Sequence, residues 1–169
     1  MVQELSELRS SITEGRYQDA LDIIDELEEM SKASILRNID SYLVRIFIHL
    51  IKNQIENRLT KSWAVSIIDS VRQIKKLNLK GNQKSYYIKQ NEWQSYLEEA
   101  LAAAIPPASL EVLEGQLKSS EIKARIDKDT LLNIAENLLI LTYSYSPLDL
   151  PDAVNTELVN LPGGEEYNI

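Results

Sequence analysis

The stretch SILRNIDSYLVRIFIHLIKNQIEN, residues 34–57, decides the fold class. Its apolar residues Ile35, Ile39, Tyr42, Leu43, Ile46, Phe47, Leu50 and Ile55 recur at intervals that line one side of an α-helix. It contains no glycine or proline, and nothing in it alternates with the period of two that a half-buried strand needs. A helix this long and this apolar is expected to be the central element of the molecule. Within it stands His49, the single histidine of the chain, four residues after Arg45. That spacing puts both side chains on one face of the helix.

The flanking sequence has the same character. The chain of 169 residues holds five glycines and five prolines, and two of the glycines and three of the prolines fall after residue 146. The remainder is rich in good helix formers and nearly free of breakers. The spacing predicts a first helix over residues 3–13, ending near Gly15. A second, YQDALDIIDELEEM (17–30), carries Tyr17, Ala20, Leu21, Ile24 and Leu27 on one side. A turn near Lys32 is expected between it and the central helix. Further helices are expected over 62–79, with Trp63, Ile67, Val71 and Ile74 inward; over 84–105, stopped by Pro106 and Pro107; over 109–126; and over 130–143. Residues 146–169 read as an irregular tail. The fold class is therefore all-α: one antiparallel up-and-down bundle of five to seven helices over residues 1–145, followed by that tail.

Composition excludes several chemistries. The chain has no cysteine, which removes disulfides, thiolate zinc sites, thiol nucleophiles and cysteine-held iron–sulfur clusters, and fits a reducing cytoplasm. One histidine is too few for an HExxH zinc site. A di-iron bundle needs two Glu-x-x-His motifs, and the residue three before His49 is Ile46. There is no glycine-rich phosphate loop and no GxSxG nucleophile elbow. The N-terminus has no signal-peptide pattern. The longest apolar run, residues 43–51, is interrupted by Arg45 and His49 and is far short of the ~20 residues of a membrane span. The sequence nominates no cofactor, no metal and no catalytic residue. Asp22, Glu26 and Glu29 recur at helical spacing but read as a solvated acidic face.

Charge is unevenly distributed. Residues 1–30 hold nine acids and two bases, a net −7; residues 31–90 hold three acids and twelve bases, +9; residues 91–169 hold fourteen acids and four bases, −10. The basic middle suggests Lys75, Lys76, Lys80, Lys84 and Lys89 as a surface tracking phosphates, with Tyr86 or Trp93 as stacking partners. Trp93, with Leu97 and Leu101 at helical spacing, reads better as core, and an overall charge of −8 argues against tight nucleic-acid binding. A helical ribonuclease of the HEPN type places more residues between its arginine and histidine than the three in RIFIH. If the central helix and the next form a hairpin turning near Leu59, His49 lies level with Asp69. The expectation is a His49–Asp69 hydrogen bond that raises the histidine pKa.

The order of short motifs resembles the bacterial family called domain of unknown function 29, abundant in cyanobacteria. The residues that carry the resemblance are Gly15, Arg16 and Tyr17; Glu26, Glu29 and Met30; His49, Leu50 and Lys52; Ser62 and Trp63; and residues 96–101, YLEEAL. Together they span about residues 8–104. Asn53 stands where that family often has a tryptophan, Lys61 where it has an arginine, and residues 78–95 are longer than usual. The resemblance implies a helical fold and carries no activity. The function expected is a small cytoplasmic protein-interaction or structural module, with a protein partner or self-association and no membrane. The alternative is an RNA-binding or RNA-cleaving protein using Arg45, His49 and the basic stretch 75–89.

Overall fold

The computed structural model describes residues 2–167. Among the described residues there are seven α-helices and no strand: α1 Val2–Thr13, α2 Tyr17–Glu56, α3 Lys61–Asn78, α4 Gln94–Ser109, α5 Ser119–Arg125, α6 Lys128–Ser144 and α7 Leu150–Val159. A 3-10 turn, Val112–Gly115, lies between α4 and α5. The protein is an all-α helical bundle. Its chain forms two compact units, Met1–Arg37 and Asn38–Ile169.

The turn expected near Lys32 is absent, because α2 runs unbroken from Tyr17 to Glu56. The physical reason is local. Met30, Lys32 and Ala33 favour the helix, and no glycine or proline interrupts it. Every residue from 28 to 34 is exposed, so this stretch persists on its own backbone hydrogen bonds.

The first unit is a helical hairpin of α1 and residues 17–37 of α2. Gly15 closes the turn with φ +75, a value that glycine adopts freely. The Arg16 N–H donates to the Ser11 carbonyl at 2.8 Å, and its guanidinium donates to Glu14 at 2.9 Å and Asp19 at 3.0 Å. Ser11 and Ala20 are buried between the helices, with Leu8, Ile23 and Leu27 half-buried beside them. A shallow groove lined by Glu7 and Ser10 from α1 and Asp19 and Asp22 from α2 gives the antiparallel register.

The second unit holds the core. Residues 38–56 of α2 contribute Ile39, Leu43, Ile46, Phe47, Leu50 and Ile51, all buried. The α6 helix packs against α3, α4 and α7, α3 packs against α7, and α4 against α5. The C-terminal part is not the irregular tail that its turn-rich sequence suggested. It forms α7 and buries Leu150, Val154 and Leu158. Pro151 starts that helix where a missing N–H costs nothing. Past α7 the chain is pinned again: the Asn53 side-chain amide donates to the Pro162 carbonyl at 2.8 Å, and the Tyr167 hydroxyl hydrogen-bonds the Asn155 side chain.

Three helix boundaries also differ from expectation. The α4 helix continues through Pro106 and Pro107 to Ser109. The prolines deprive the carbonyls of Ala102 and Ala103 of their helical partners at two exposed positions, where the loss costs far less than it would in the core. The segment 109–126 divides into the 3-10 turn and the short α5. Residues 84–93 are not helical, because Asn78 competes for their backbone. Its side chain accepts from the Ile88 N–H at 2.7 Å and donates to the Ile88 carbonyl at 2.8 Å. The Tyr143 hydroxyl donates to the same carbonyl at 2.6 Å and accepts from Trp93 Nε1 at 2.7 Å. Asn78, Ile88 and Trp93 are all buried, so this polar cluster ties the connection between α3 and α4 to α6.

Two outcomes follow from these contacts. Tyr143→Phe leaves the Trp93 indole N–H and one proton of Asn78 without their acceptor, and should lower unfolding free energy by ~1–3 kcal/mol, measured by urea denaturation. Gly163 has φ +70, and a Cβ there would lie 2.8 Å from the Cα of Arg58. Gly163→Ala should therefore cost more than ~2 kcal/mol in the same measurement; a neutral result would mean that the C-terminal segment is not held against the α2–α3 turn.

Candidate functional site

Two surfaces, one in each unit, have the features of a functional site. In the second unit, the end of α2 turns into α3 through Asn57, which has φ 53, and Thr60, whose hydroxyl caps α3 by accepting from the Trp63 N–H at 3.1 Å. Trp63 is buried, as its place in the apolar stripe predicted. Charged groups surround its ring: Lys52 Nζ is 4.5 Å and the Arg58 guanidinium 4.8 Å from the ring centre. His49 stacks on it at 6.5 Å. A cleft of about 540 Å³ opens beside this group, bordered on its far side by Glu111, Leu113 and Glu114.

The cations of the cleft are already matched. Lys52 is only 8% exposed and pairs with Glu111 at 3.1 Å. Arg58 pairs with Glu56 at 3.0 Å. The other Glu56 oxygen accepts from the Leu113 N–H at 3.4 Å. Leu113 and Glu114 have φ of 47 and 59, two successive non-glycine residues in the left-handed region, at a cost of roughly 1–2 kcal/mol each. The contacts to Glu56 and Lys52 hold this strained turn in place.

The residues singled out from the sequence do not form one site. His49 makes no bond to Asp69, correcting the expected pair. Asp69 lies 3.9 Å from Arg72 on its own helix, while His49 Nδ1 is buried with no hydrogen-bond partner. The hairpin fixes how far along the helix two residues lie but not which way they point. On α3 the inward positions are Ile67, Ser70, Val71 and Ile74. Arg45 is exposed and stacks over Tyr42 at 5.2 Å. Lys75 donates to the Thr142 carbonyl at 2.6 Å, near the end of α6, and burial lowers its pKa. Lys76 is exposed, as are Lys80, Lys84 and Lys89. Among the described residues, no helix is long and apolar enough to cross a membrane.

The second surface belongs to the hairpin, although sequence periodicity by itself gives its residues to a core. Of the eleven large apolar side chains that stand exposed among the described residues, seven lie in the first unit: Val2, Leu5, Ile12, Tyr17, Leu21, Ile24 and Met30. The packed side of α1 centres on Leu8 and Ser11; Leu5 and Ile12 lie about a quarter-turn round from it. The packed side of α2 centres on Ala20, Ile23 and Leu27; Tyr17, Leu21 and Ile24 lie about a quarter-turn round in the same sense. In an antiparallel pair, equal rotations bring both sets to the same side. The hairpin thus presents one apolar face. The signal was present in the sequence: the apolar positions of residues 17–27 cover more of the helix than one neighbouring helix can bury.

The environment of His49 sets a pH dependence. Burial, followed by the positive charge of Lys52, lowers its pKa to about 4, with Glu111 opposing and Arg45 adding to the shift. The unfolded chain takes up a proton near 6.5, whereas the folded protein does so only near 4. Stability is therefore full above pH 6.5, falls as pH drops from 6.5 to about 4, and changes no further through this group below that. His49 is half-buried, so the loss should be about 1–2 kcal/mol rather than the full shift. Urea melts of the wild type and of His49→Gln across this range should differ by that slope, and identical slopes would mean that the imidazole is solvated.

A protein-family comparison agrees with the motif order. The family described as domain of unknown function DUF29 matches residues 3–114, well over half of the chain. The match covers the hairpin, α2, α3, α4 and all the named residues of the Trp63 cleft. No curated protein and no solved structure matches the chain. The protein belongs to the family of the domain of unknown function DUF29.

Proposed function

We propose that this protein is a protein-interaction module whose contact element is the N-terminal hairpin. The observation that carries this reading is the apolar face of Leu5, Ile12, Tyr17, Leu21 and Ile24. Tyr17 is 67% exposed and Leu21 54% exposed, in a unit whose buried residues, among those described, are Ser11 and Ala20. Contiguous exposed apolar surface on a helical pair is costly in water and marks a place where another chain docks. The second unit supports the reading from the other side. It completes its own core, and the charges around Trp63 are paired within the molecule.

The alternative of an RNA surface has less behind it. Lys75 is spent on the Thr142 carbonyl, and Arg45 and His49 face different surroundings, one exposed over Tyr42 and one stacked on Trp63.

The reading is tested by placing a photo-crosslinking residue at position 21 and, as a control, at position 26 on the acidic side of the same helix. Irradiation in cells should give discrete protein adducts from position 21 and none from position 26. Adducts to nucleic acid alone, or the same products from both positions, would overturn it.

A further inference from the structure

The chemistry of the hairpin's edges names the kind of partner. We infer that its apolar face receives a basic amphipathic helix of another protein; this rests on the interaction reading above. On α2 the stripe Tyr17, Leu21, Ile24 ends in Glu28 at the next helical interval, and Asp25 and Glu29 run along its outer border. All three carboxylates are exposed, and none has an ion-pair partner among the described residues. On α1 the corresponding stripe holds Leu5 and Ile12 with Arg9 between them, and its outer border is Ser6 and Thr13. The face is therefore apolar in the middle and acidic along its α2 edge.

A third helix laid along the two apolar rows completes a three-helix arrangement and buries Leu21 and Ile24 on both sides. Basic side chains on its border would meet Asp25, Glu28 and Glu29 at the rim, where complementarity directs the choice and orientation of partner. A second copy of the hairpin is the poorer fit. Residues 1–37 hold nine acids and four bases, a net −5, and pairing two copies brings two such charges and two acidic edges together. The helix-in-groove mode needs only a few anchors at three- and four-residue spacing, which the spacing of Tyr17, Leu21 and Ile24 mirrors.

The experiment uses the full chain and two synthetic helical peptides of about eighteen residues. Both carry leucines along one face; one is bordered by lysines and the other by glutamates. By sedimentation the chain alone should be a monomer. The lysine-bordered peptide should bind in fluorescence anisotropy, more weakly as salt rises, and the glutamate-bordered peptide should not. The double variant Leu21→Glu, Ile24→Glu should lose at least ~10-fold in affinity with its helical circular dichroism unchanged. The triple variant Asp25→Lys, Glu28→Lys, Glu29→Lys should reverse the preference between the peptides.

A dimer that dissociates in the Leu21→Glu, Ile24→Glu variant would overturn the basic-helix partner while leaving the interaction reading standing, since a second copy then covers the face. Equal binding of the lysine-bordered peptide to wild type and to that variant would overturn the proposal, because charge alone would account for it. Failure of both peptides to bind, with protein adducts still formed from position 21, would also overturn it and again spare the interaction reading. Failure of the peptides together with loss of those adducts would remove both.

Discussion

Two hydrogen bonds from a single side-chain amide hold together the part of the second unit where its sequence is least regular. Asn53, near the end of α2, donates to the carbonyl of Arg58 in the turn that follows and to that of Pro162, more than a hundred residues later. The amide is buried, so water cannot replace either bond, and the contacts are worth more than they would be at the surface. The first fixes the turn that sets Arg58 and Trp63 against each other. The second fastens the chain beyond α7 onto the same turn, where the backbone of Gly163 approaches Arg58 with no room for a side chain. The end of α2, the start of α3 and the C-terminal segment are therefore one structural feature.

The Trp63 cleft illustrates how a polar surface can be finished internally. A lysine as buried as Lys52 is costly unless a counter-charge and an acceptor stand close. Glu111 provides both, and the indole adds the attraction of its negative face. Glu56 in turn accepts from both Arg58 and a strained backbone N–H. Lys52 with Glu111 and Arg58 with Glu56 are matched pairs, and the strain at Leu113 and Glu114 is carried by those same contacts. The uncharged state of His49 is part of this balance: its Nδ1 is buried without a partner, and a proton there would add a second positive charge beside Lys52, whose own charge already takes up Glu111.

The first unit is built on the opposite terms. It has few buried side chains, a helix exposed on every side over residues 28–34, and most of the exposed large apolar residues. In the second unit apolar periodicity has been turned into core; in the first it remains on the surface, one row deeper than the hairpin itself can use. An amphipathic pattern tells how wide an apolar side is, and only a count of the neighbours available tells how much of it is covered.

The sequence by itself determined the helical class, because helix propensity and three-to-four spacing act over a few residues and are written directly in residues 34–57 and 130–143. It also determined that Trp63 and Trp93 are core, since each heads an apolar stripe at helical spacing. The unbroken α2 is local in origin too, since no breaker stands between Glu28 and Ser34; a turn near Lys32 follows only from up-and-down bundle topology, which this chain does not adopt there. What only the tertiary structure decided are the contacts between distant residues. The tail becomes α7 because Leu150, Val154 and Leu158 find a core to enter. Residues 84–93 leave the helix because Asn78 and Tyr143 offer their backbone better partners. His49 turns to Trp63 rather than Asp69 because the direction of a side chain depends on how each helix is rotated about its own axis. That rotation is set by all the packed neighbours together, and no local pattern in the sequence records it.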